Sequence, residues 1–507
     1  MKRFPILFLT LVLSLTSQAQ AYMDSDLPDV TKMLPAYPNI KSLDFVNDYT
    51  QYRWGKSVRE ESTGKLAYSF IMWDFDNFLR SLGKGINMTI SLANTPKLYA
   101  LLEYAEKYAD KMMSKAQSDV KRQRPYDMFG EGSYVRSMEE RLRNVSCYPC
   151  DQAVKGWLYS LLIAEVHPKK VENIYTRGLK YGPSMIIAGY NFESDVHAGH
   201  MMGSALLARM HAHDDFKALL DAARSEMSTA KTRGMTRASD EPYLSESELP
   251  NSSEYLPEPP AELSCQMSCD IVSYNEGKLY RSQDEGAQAV ADVDYSADRF
   301  CEIFSKVLGQ ELSASKTPAI YELVQRVHPS GNAATQKAKG AYRRQRPYVY
   351  MDEPTSYPAD EADLRDTGSY PSGHASGSWL MGLVLCEVTR TQQDALMARA
   401  YEFGQGRVIT GYHWQSDVNY GRVVGSAVYV TLHNNQDFLD QMQKAIQEYD
   451  RVYGGTSAVR AVSAEPAAID APVYNLQGQR VSSPSRGLYI QNHKKVAIKN
   501  AEKHFTE

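Results

Sequence analysis

The hydrophobic pattern over most of the chain predicts helices. Residues 379–388, WLMGLVLCEV, form an apolar run that suits a buried helix. Residues 440–453, DQMQKAIQEYDRVY, repeat their apolar positions with a helical period. Runs with the two-residue alternation of a half-buried strand are scarce before residue 455. The pattern therefore predicts an all-α architecture for the greater part of the chain.

The pattern changes towards the C-terminus. Residues 456–471 are rich in small side chains and predict a spacer. Residues 472–507 alternate strand-like runs, such as VYNLQGQRV and GLYI, with turn residues. We therefore expect a short β-rich tail after the helical part.

The first 21 residues have the pattern of a secretory signal peptide. Lys2 and Arg3 precede the apolar stretch FPILFLTLVLSL, and Ala19-Gln20-Ala21 offers a small-x-small cleavage site. The apolar run is too short to span a bilayer, and no later segment is long and apolar enough to do so. We expect an exported chain, periplasmic, cell-surface or secreted, with no transmembrane span after cleavage.

Composition and charge narrow the class of protein further. The chain has 507 residues, of which 43% are hydrophobic, so it is long enough for two or three domains with proper cores. The formal net charge of −5 gives no electrostatic reason to expect a nucleic-acid partner. Export would permit up to three disulfides among the six cysteines, with their connectivity left open. For Cys147-x-x-Cys150 a redox site is the alternative, and structural or unpaired thiols are preferred to it.

The chain contains an internal repeat with an offset of 222 residues. RQRPY occurs at 122–126 and again at 344–348, and Trp157 corresponds to Trp379. The offset stays constant over roughly 165 residues, which predicts a duplicated domain. The predicted domains are residues 22–238 and residues 264–455, joined by a linker rich in Ser, Glu and Pro at 239–263.

The second copy carries side chains that suit a tetrahedral oxyanion. Lys339, Arg346 and Arg407 would supply positive charge, the two arginines as planar forks for oxygen atoms. The Ser372-Gly373 turn would present backbone N–H groups at the beginning of a helix, which favours an anion. These residues are therefore candidates for binding a phosphate group.

Two histidines in the second copy could carry out the chemistry. His413 and Asp417 are four residues apart, so the carboxylate can hold one imidazole nitrogen and leave the other free to attack. His374 could then protonate a leaving oxygen. No metal site or cofactor is predicted from these residues.

The first copy lacks most of this set. The offset places Gln117, Cys150, Asp151, Gln152, Met185 and Asn191 at the positions of Lys339, Ser372, Gly373, His374, Arg407 and His413. Only Arg124 and Asp195 match their counterparts. We therefore expect an inactive first copy that packs on the second as an intramolecular pseudo-dimer.

Three segments of the second copy together resemble the signature of the type 2 phosphatidic acid phosphatase (PAP2) superfamily. They are Lys-x6-Arg-Pro at 339–347, Pro-Ser-Gly-His at 371–374 and Arg-x5-His-x3-Asp at 407–417. GSYPSGH and GYHWQSDV are similar in particular to the bacterial class A non-specific acid phosphatases, and the resemblance covers about residues 270–440. Gly406 departs from the family, which commonly has Ser there.

The resemblance implies two PAP2-type helical bundles and a metal-independent hydrolysis of phosphate monoesters, without a cofactor. It gives His413 the role of a nucleophile that forms a phosphohistidine, Asp417 that of its orienting carboxylate and His374 that of the acid. The residues that would hold the phosphate are Lys339, Arg346, Ser372, Gly373 and Arg407.

The tail resembles the C-terminal sorting domain of type IX-secreted bacterial proteins. That resemblance implies a possible contact with secretion machinery, although His493 stands where Gly is usual. The tail could serve release, surface attachment or periplasmic retention.

Two other functions remain open from the sequence. A vanadate-dependent haloperoxidase would use a similar anion site, and a non-catalytic surface binding protein would use both copies as scaffolds. A membrane-lipid phosphatase of the same superfamily is disfavoured because spanning helices are not found in the sequence.

Overall fold

The computed structural model describes residues 27–71, 74–227 and 241–454, together with four short strands between residues 473 and 498. The predicted signal peptide at 1–21 and the spacer at 456–471 lie outside the described residues. The helical part belongs to one compact unit that ends at Thr456, and residues 457–507 belong to a second unit. Between residues 27 and 454 the described elements are helical, so the predicted all-α architecture is confirmed there.

The first half of the helical unit follows the pattern of apolar stripes closed by polar caps. Ser42 and Asp74, for example, cap their helices by accepting hydrogen bonds from the backbone N–H groups of Phe45 and Asn77. Its helices are α1 (Val30–Met33), α2 (Leu43–Ser57), α3 (Ser62–Tyr68), α4 (Phe75–Gly83), α5 (Pro96–Asp119), α6 (Pro125–Met128), α7 (Glu139–Leu142), α8 (Asp151–Val166), α9 (Val171–Gly178), α10 (Tyr181–Ala188), α11 (Glu193–His211) and α12 (Asp214–Glu226), with short 3-10 turns at Lys84–Ile86 and Arg136–Met138.

The second half repeats this order of elements. Its helices are α13 (Ser252–Tyr255), α14 (Cys265–Tyr280), α15 (Asp284–Ala291), α16 (Ala297–Leu308), α17 (Pro318–Ala333), α18 (Gln336–Tyr342), α19 (Pro347–Tyr350), α20 (Glu361–Leu364), α21 (Gly373–Thr389), α22 (Gln393–Thr410), α23 (Gln415–Leu432) and α24 (Gln436–Tyr453), with a 3-10 turn at Pro358–Asp360. Most of these helices begin 222 residues after a helix of the first half, as α21 does after α8 and α23 after α11.

The two halves differ at two helix breaks. The first half has the continuous helix α5 where the second half has α17 and α18, separated at Ala334 and Thr335. Conversely, α9 and α10 of the first half correspond to the single helix α22. The break after α17 matters for the site, because α18 carries Lys339.

The core is built around helices that are apolar on nearly all sides. Trp157 on α8 and Trp379 on α21 are both fully buried, and α21 is buried along almost its whole length. A helix that is hydrophobic all round has to be surrounded by other helices. Accordingly α21 packs against α17, α22, α23 and α24, and also against α11 of the first half.

The halves meet at residues that are related by the repeat offset. Ser426 donates a hydrogen bond to Ser204, 222 residues earlier, over 2.8 Å. The indole N–H groups of Trp379 and Trp157 donate to these two serines over 3.1 and 3.0 Å. Contacts between equivalent residues are characteristic of a two-fold, self-complementary interface.

The segment between the halves is partly buried: its aromatic and leucine side chains pack inwards, whereas residues such as Glu246 and Glu258 are exposed. Tyr255 is buried and its ring lies 5.3 Å from that of Tyr175. Ser252 donates a hydrogen bond over 2.7 Å to the carbonyl of Ala334 at the break after α17. The few aromatic and leucine side chains of the segment are buried, and they hold it between the halves.

In the C-terminal segment the structure describes four strands. These are β1 (Val473–Tyr474), β2 (Arg480–Val481), β3 (Gly487–Gln491) and β4 (Lys494–Ile498). All neighbouring pairs are antiparallel, and the order across the sheet is β2-β1-β3-β4.

The six cysteines, all within the described residues, form no disulfide with one another, and all except Cys265 are buried. Burial raises the pKa of the Cys150 thiol to about 12, so this side chain behaves as a small apolar group. Among the described residues, no helix combines the length and the apolar composition needed to cross a lipid bilayer.

Candidate active site

The beginning of α21 is held against α23 and forms the floor of the site. Ser372 caps α21 by accepting a hydrogen bond from the N–H of Ala375, and its own N–H donates to the carbonyl of Asp417 over 2.9 Å. A Cβ atom at Gly373 would lie 2.1 Å from Oδ1 of Asn332, so a larger residue here would require the Asn332 side chain to move. The first turn of α21 therefore offers free backbone N–H groups and the positive end of the helix dipole.

His374 follows Gly373 and is fixed by contacts on two sides. Its Nε2 lies 3.1 Å from the carbonyl oxygen of Val293, so Nε2 must donate and Nδ1 is left for exchange with a ligand. The ring stacks on Phe403 at 6.0 Å and is tilted against Tyr295 at 5.0 Å. Burial and then the charge of Arg407 lower the pKa of His374 well below its ordinary value.

His413 and Asp417 are brought together by the turn between α22 and α23. Asp417, fully buried in the first turn of α23, accepts a hydrogen bond from the N–H of Trp414 over 2.9 Å. The same carboxylate oxygen of Asp417 lies 3.3 Å from Nδ1 of His413. A carboxylate can only accept, so Nδ1 carries the proton and Nε2 keeps its lone pair.

The free nitrogen of His413 faces positive charge. Nε2 lies 3.3 Å from the guanidinium of Arg346, whose remaining N–H groups donate to main-chain and hydroxyl oxygens, such as the carbonyl of Tyr412 at 3.1 Å. Burial, followed by the charges of Arg346, Lys339 and Arg407, lowers the pKa of His413 well below its ordinary value. The imidazole is therefore neutral near pH 7 and available as a nucleophile.

Arg407 and Lys339 supply charge that protein groups do not neutralise. Arg407 is 2% exposed, and its Nε and one terminal N–H group have no hydrogen-bond partner in the described structure. Burial lowers the pKa of Arg407 to about 10 and that of Lys339 to about 7, in the second case with a further contribution from Arg346. Buried donors without partners are rare, and they mark a place where an anion binds.

The structure thus brings together the residues singled out in the second copy. The charges of Lys339 and Arg407 act on both His374 and His413, that of Arg346 acts on His413, and Ser372 and Gly373 lie at the helix terminus beside Asp417. The arrangement places a neutral imidazole, a second imidazole with an exchangeable proton and several N–H donors where they could act on a tetrahedral oxyanion.

The sequence reasoning missed a buried network that holds Asp417. Arg344 donates to Asp417 over 2.6 Å and, through its other terminal nitrogen, to Asp270 over 2.6 Å. Ser416 donates to Asp270 from both its N–H and its hydroxyl, over 2.9 and 2.6 Å. The signal was present in the sequence, because the offset of 222 places the identical Arg122, Asp48 and Ser194 in the first half.

The first half keeps this network but not the catalytic set. Arg122 contacts both Asp48 and Asp195, as Arg344 contacts its two carboxylates. In place of the nucleophile, Asn191 donates to the carbonyl of Cys147 over 2.6 Å and to Asp195 over 3.3 Å. A cavity of about 400 Å³ remains here; among its lining residues are Gln117, Arg124, Asp151, Gln152, Met185 and Asn191.

The chemistry of this cavity differs from that of the second half. Lys155 lies 2.7 Å from Asp110 and 3.2 Å from Glu106, with Asp151 at 3.6 Å. Its counterpart in the second half is Gly377. Lys155 is thus paired with carboxylates, so it is poorly placed to hold a phosphate.

Comparison with known proteins gives independent evidence. Residues 329–439 match the family model of the PAP2 superfamily. The chain is 38% identical over 211 residues to the non-specific acid phosphatase of Providencia stuartii, which covers 41% of this chain and 85% of that protein. It is 37% identical over 212 residues to the non-specific acid phosphatase of Salmonella typhi, which covers 42% of this chain and 85% of that protein. It is 28% identical over 197 residues to an acid phosphatase of Zymomonas mobilis, which covers 39% of this chain and 75% of that protein.

The matched residues 329–439 include every predicted site residue of the second half, from Lys339 to Asp417. The match to the Providencia protein extends beyond these motifs and covers 85% of that protein. On this evidence the chain belongs to the PAP2 superfamily, in the family of the non-specific acid phosphatases.

Proposed function

We propose that the protein is an exported acid phosphatase that hydrolyses phosphate monoesters without a metal, through a phosphohistidine at His413. The observation that carries the proposal is the neutral His413, held by Asp417 and facing buried cations of which Arg407 has unpartnered donors. This is the environment that a nucleophile needs to attack a negatively charged phosphoryl group.

In the first step, Nε2 of His413 forms a bond to phosphorus while the bond from phosphorus to the ester oxygen breaks. His374 gives the leaving oxygen a proton from Nδ1, because its Nε2 is committed to the carbonyl of Val293. The negative charge of the bound phosphate opposes the lowering of the pKa of His374, so this proton is gained in the substrate complex.

In the second step, water attacks phosphorus and the bond from Nε2 to phosphorus breaks. Nδ1 of His374, which lost its proton in the first step, accepts the proton of the attacking water. Inorganic phosphate then leaves. The guanidinium groups of Arg346 and Arg407, the ammonium group of Lys339 and the first turn of α21 would stabilise the equatorial oxygens in both steps.

The test is to trap the intermediate. His413→Ala should abolish hydrolysis of p-nitrophenyl phosphate, whereas wild-type protein quenched during turnover should carry phosphate that is stable to base and labile to acid. Treatment with EDTA should leave the rate unchanged. Loss of activity in EDTA from protein whose Tm is unchanged, restored by magnesium or zinc, would contradict the mechanism, and vanadate-dependent bromide oxidation would point to a haloperoxidase instead.

We further propose that the chain is a tandem duplication whose first half, residues 22–238, is a catalytically inactive partner domain. The common order of helices and the contact of Ser204 with Ser426 support this proposal. A second support is Asn47, which donates to Ser273 over 2.9 Å across the same junction. The first half would act as a built-in subunit of a pseudo-dimer.

For the C-terminal tail we propose a role in sorting by secretion machinery. Its support is the resemblance of residues 472–507 to sorting domains and the short antiparallel strands that the structure describes there. Deleting residues 472–507 should leave phosphatase activity intact and move the protein to a different cell fraction. Unchanged fractionation of the deleted chain would contradict the sorting role.

A further inference from the structure

A second cluster of buried titratable side chains lies where the two halves meet. It consists of Glu165 and His211 from the first half and Glu387 and His433 from the second, all at most 4% exposed in their side chains. Each pair is related by the offset of 222 residues. Glu387 lies thirteen residues after His374 on α21, which places it about 20 Å along the helix from the active site.

Three of the four side chains lie close to one another, and Glu165 adjoins them through its contact with His211. Nε2 of His211 lies 3.0 Å from Glu165, and Nε2 of His433 lies 2.9 Å from Glu387. The two imidazole rings face each other, with centroids 4.0 Å apart. One ligand atom each from His211, Glu387 and His433 lies within 4.8 Å of the others, the one such group found among the described residues.

The hydrogen bonds of His433 leave a position for a cation at Nε2. Its Nδ1 lies 2.9 Å from the carbonyl oxygen of Tyr429, so Nδ1 must carry a proton. Nε2, which faces the carboxylate of Glu387, must then hold either a second proton or a metal ion. A histidine that donates its other ring N–H to a main-chain carbonyl has the usual geometry of a metal ligand.

The groups outside the cluster orient the carboxylates and balance their charge. The hydroxyl of Tyr429 donates to Glu387 over 2.8 Å, and Arg224 donates to Glu165 over 2.8 Å. Arg224 also lies 3.7 Å from Asp221. A cation in the cluster together with Arg224 would offset the two buried carboxylates of Glu165 and Glu387.

We propose that His211, His433, Glu165 and Glu387 bind one divalent transition-metal ion, with zinc as the best match, as a structural clamp between the halves. Two imidazole nitrogens and two carboxylate oxygens form a donor set that suits four-coordinate zinc. Because each half contributes one histidine and one glutamate, the complete site exists only when the halves are docked. Binding would displace the proton from Nε2 of His433 and stabilise the docked state.

The first test is the metal content of the full-length protein. Wild-type protein expressed with zinc in the medium and desalted in EDTA should retain about one zinc ion per chain by elemental analysis. Cobalt incorporated in place of zinc should give the visible absorption of a tetrahedral site. Less than about a tenth of an equivalent, with no rise of Tm when zinc is added to the metal-free protein, would overturn the proposal.

Matched variants locate the ion. His433→Gln keeps a hydrogen-bonding side chain but removes the ligand, so the zinc content should fall about tenfold or more and the Tm should no longer respond to zinc. The control is His200→Gln, at a buried histidine of α11 whose ring nitrogens have no partner in the described structure and which lies outside the cluster. Retention of zinc by His433→Gln would place the ion elsewhere and refute the assignment.

Discussion

The buried network behind Asp417 allows a prediction with a control in the same molecule. In Asp270→Asn the new amide N–H group would face the guanidinium of Arg344, which now donates over 2.6 Å to the Asp270 carboxylate. Arg344 would lose one of its two carboxylate partners and would hold Asp417 less firmly. Asp48→Asn makes the same change to Arg122 in the first half, where the equivalent of the nucleophile is Asn191.

The size of both effects follows from burial. Asp270 and Asp48 are 3% and 2% exposed, and removing one partner of a buried ion pair costs about 3 kcal/mol of unfolding free energy. Both variants should therefore lower Tm by a similar few degrees. A misplaced Asp417 also shifts the imidazole of His413. A shift of about 1 Å costs about 10- to 100-fold in rate.

The assay is kcat for p-nitrophenyl phosphate, measured on protein that circular dichroism shows to be folded at the assay temperature. Asp270→Asn should lose kcat with little change in KM, because the phosphate-binding cations are untouched. Asp48→Asn should lose stability only. Equal losses of kcat in the two variants would reduce the network to a structural role, and an unchanged kcat in Asp270→Asn would refute the reasoning.

Three further predictions follow from the same geometry. His374→Asn should lower kcat by about 10² to 10⁴ for alkyl phosphates and much less for p-nitrophenyl phosphate, whose leaving group needs no proton; equal losses would remove His374 from the acid role. Because the pKa of Lys339 is lowered to about 7, its positive charge is present below that pH and lost above it. Inhibition by sulfate should therefore weaken about tenfold from about pH 6 to about pH 8. Lys339→Arg should flatten this pH profile. A chain that begins at Glu241 should aggregate or lose most activity, since the surface around Ser426 would be exposed; a stable and fully active product would contradict the partner role of the first half.

The sequence could indicate residues of the proposed catalytic set because the parts of each motif are local. Arg407, His413 and Asp417 lie within eleven residues, and the turn between α22 and α23 places His413, just before α23, against Asp417 in its first turn. Ser372-Gly373 likewise signals its role locally, as a cap followed by an apolar helix. The repeat was also legible, because identity at a constant offset requires no knowledge of contacts.

Only the tertiary structure decided which distant groups support these motifs and how the halves meet. The contact of Asp270 with Arg344 joins residues 74 positions apart, and the commitment of His374 to the carbonyl of Val293 spans 81. The meeting of His211 with His433 depends on docking two surfaces that carry no local pattern of their own. Periodicity and spacing report which face of an element is buried, whereas packing between elements determines which buried groups become neighbours.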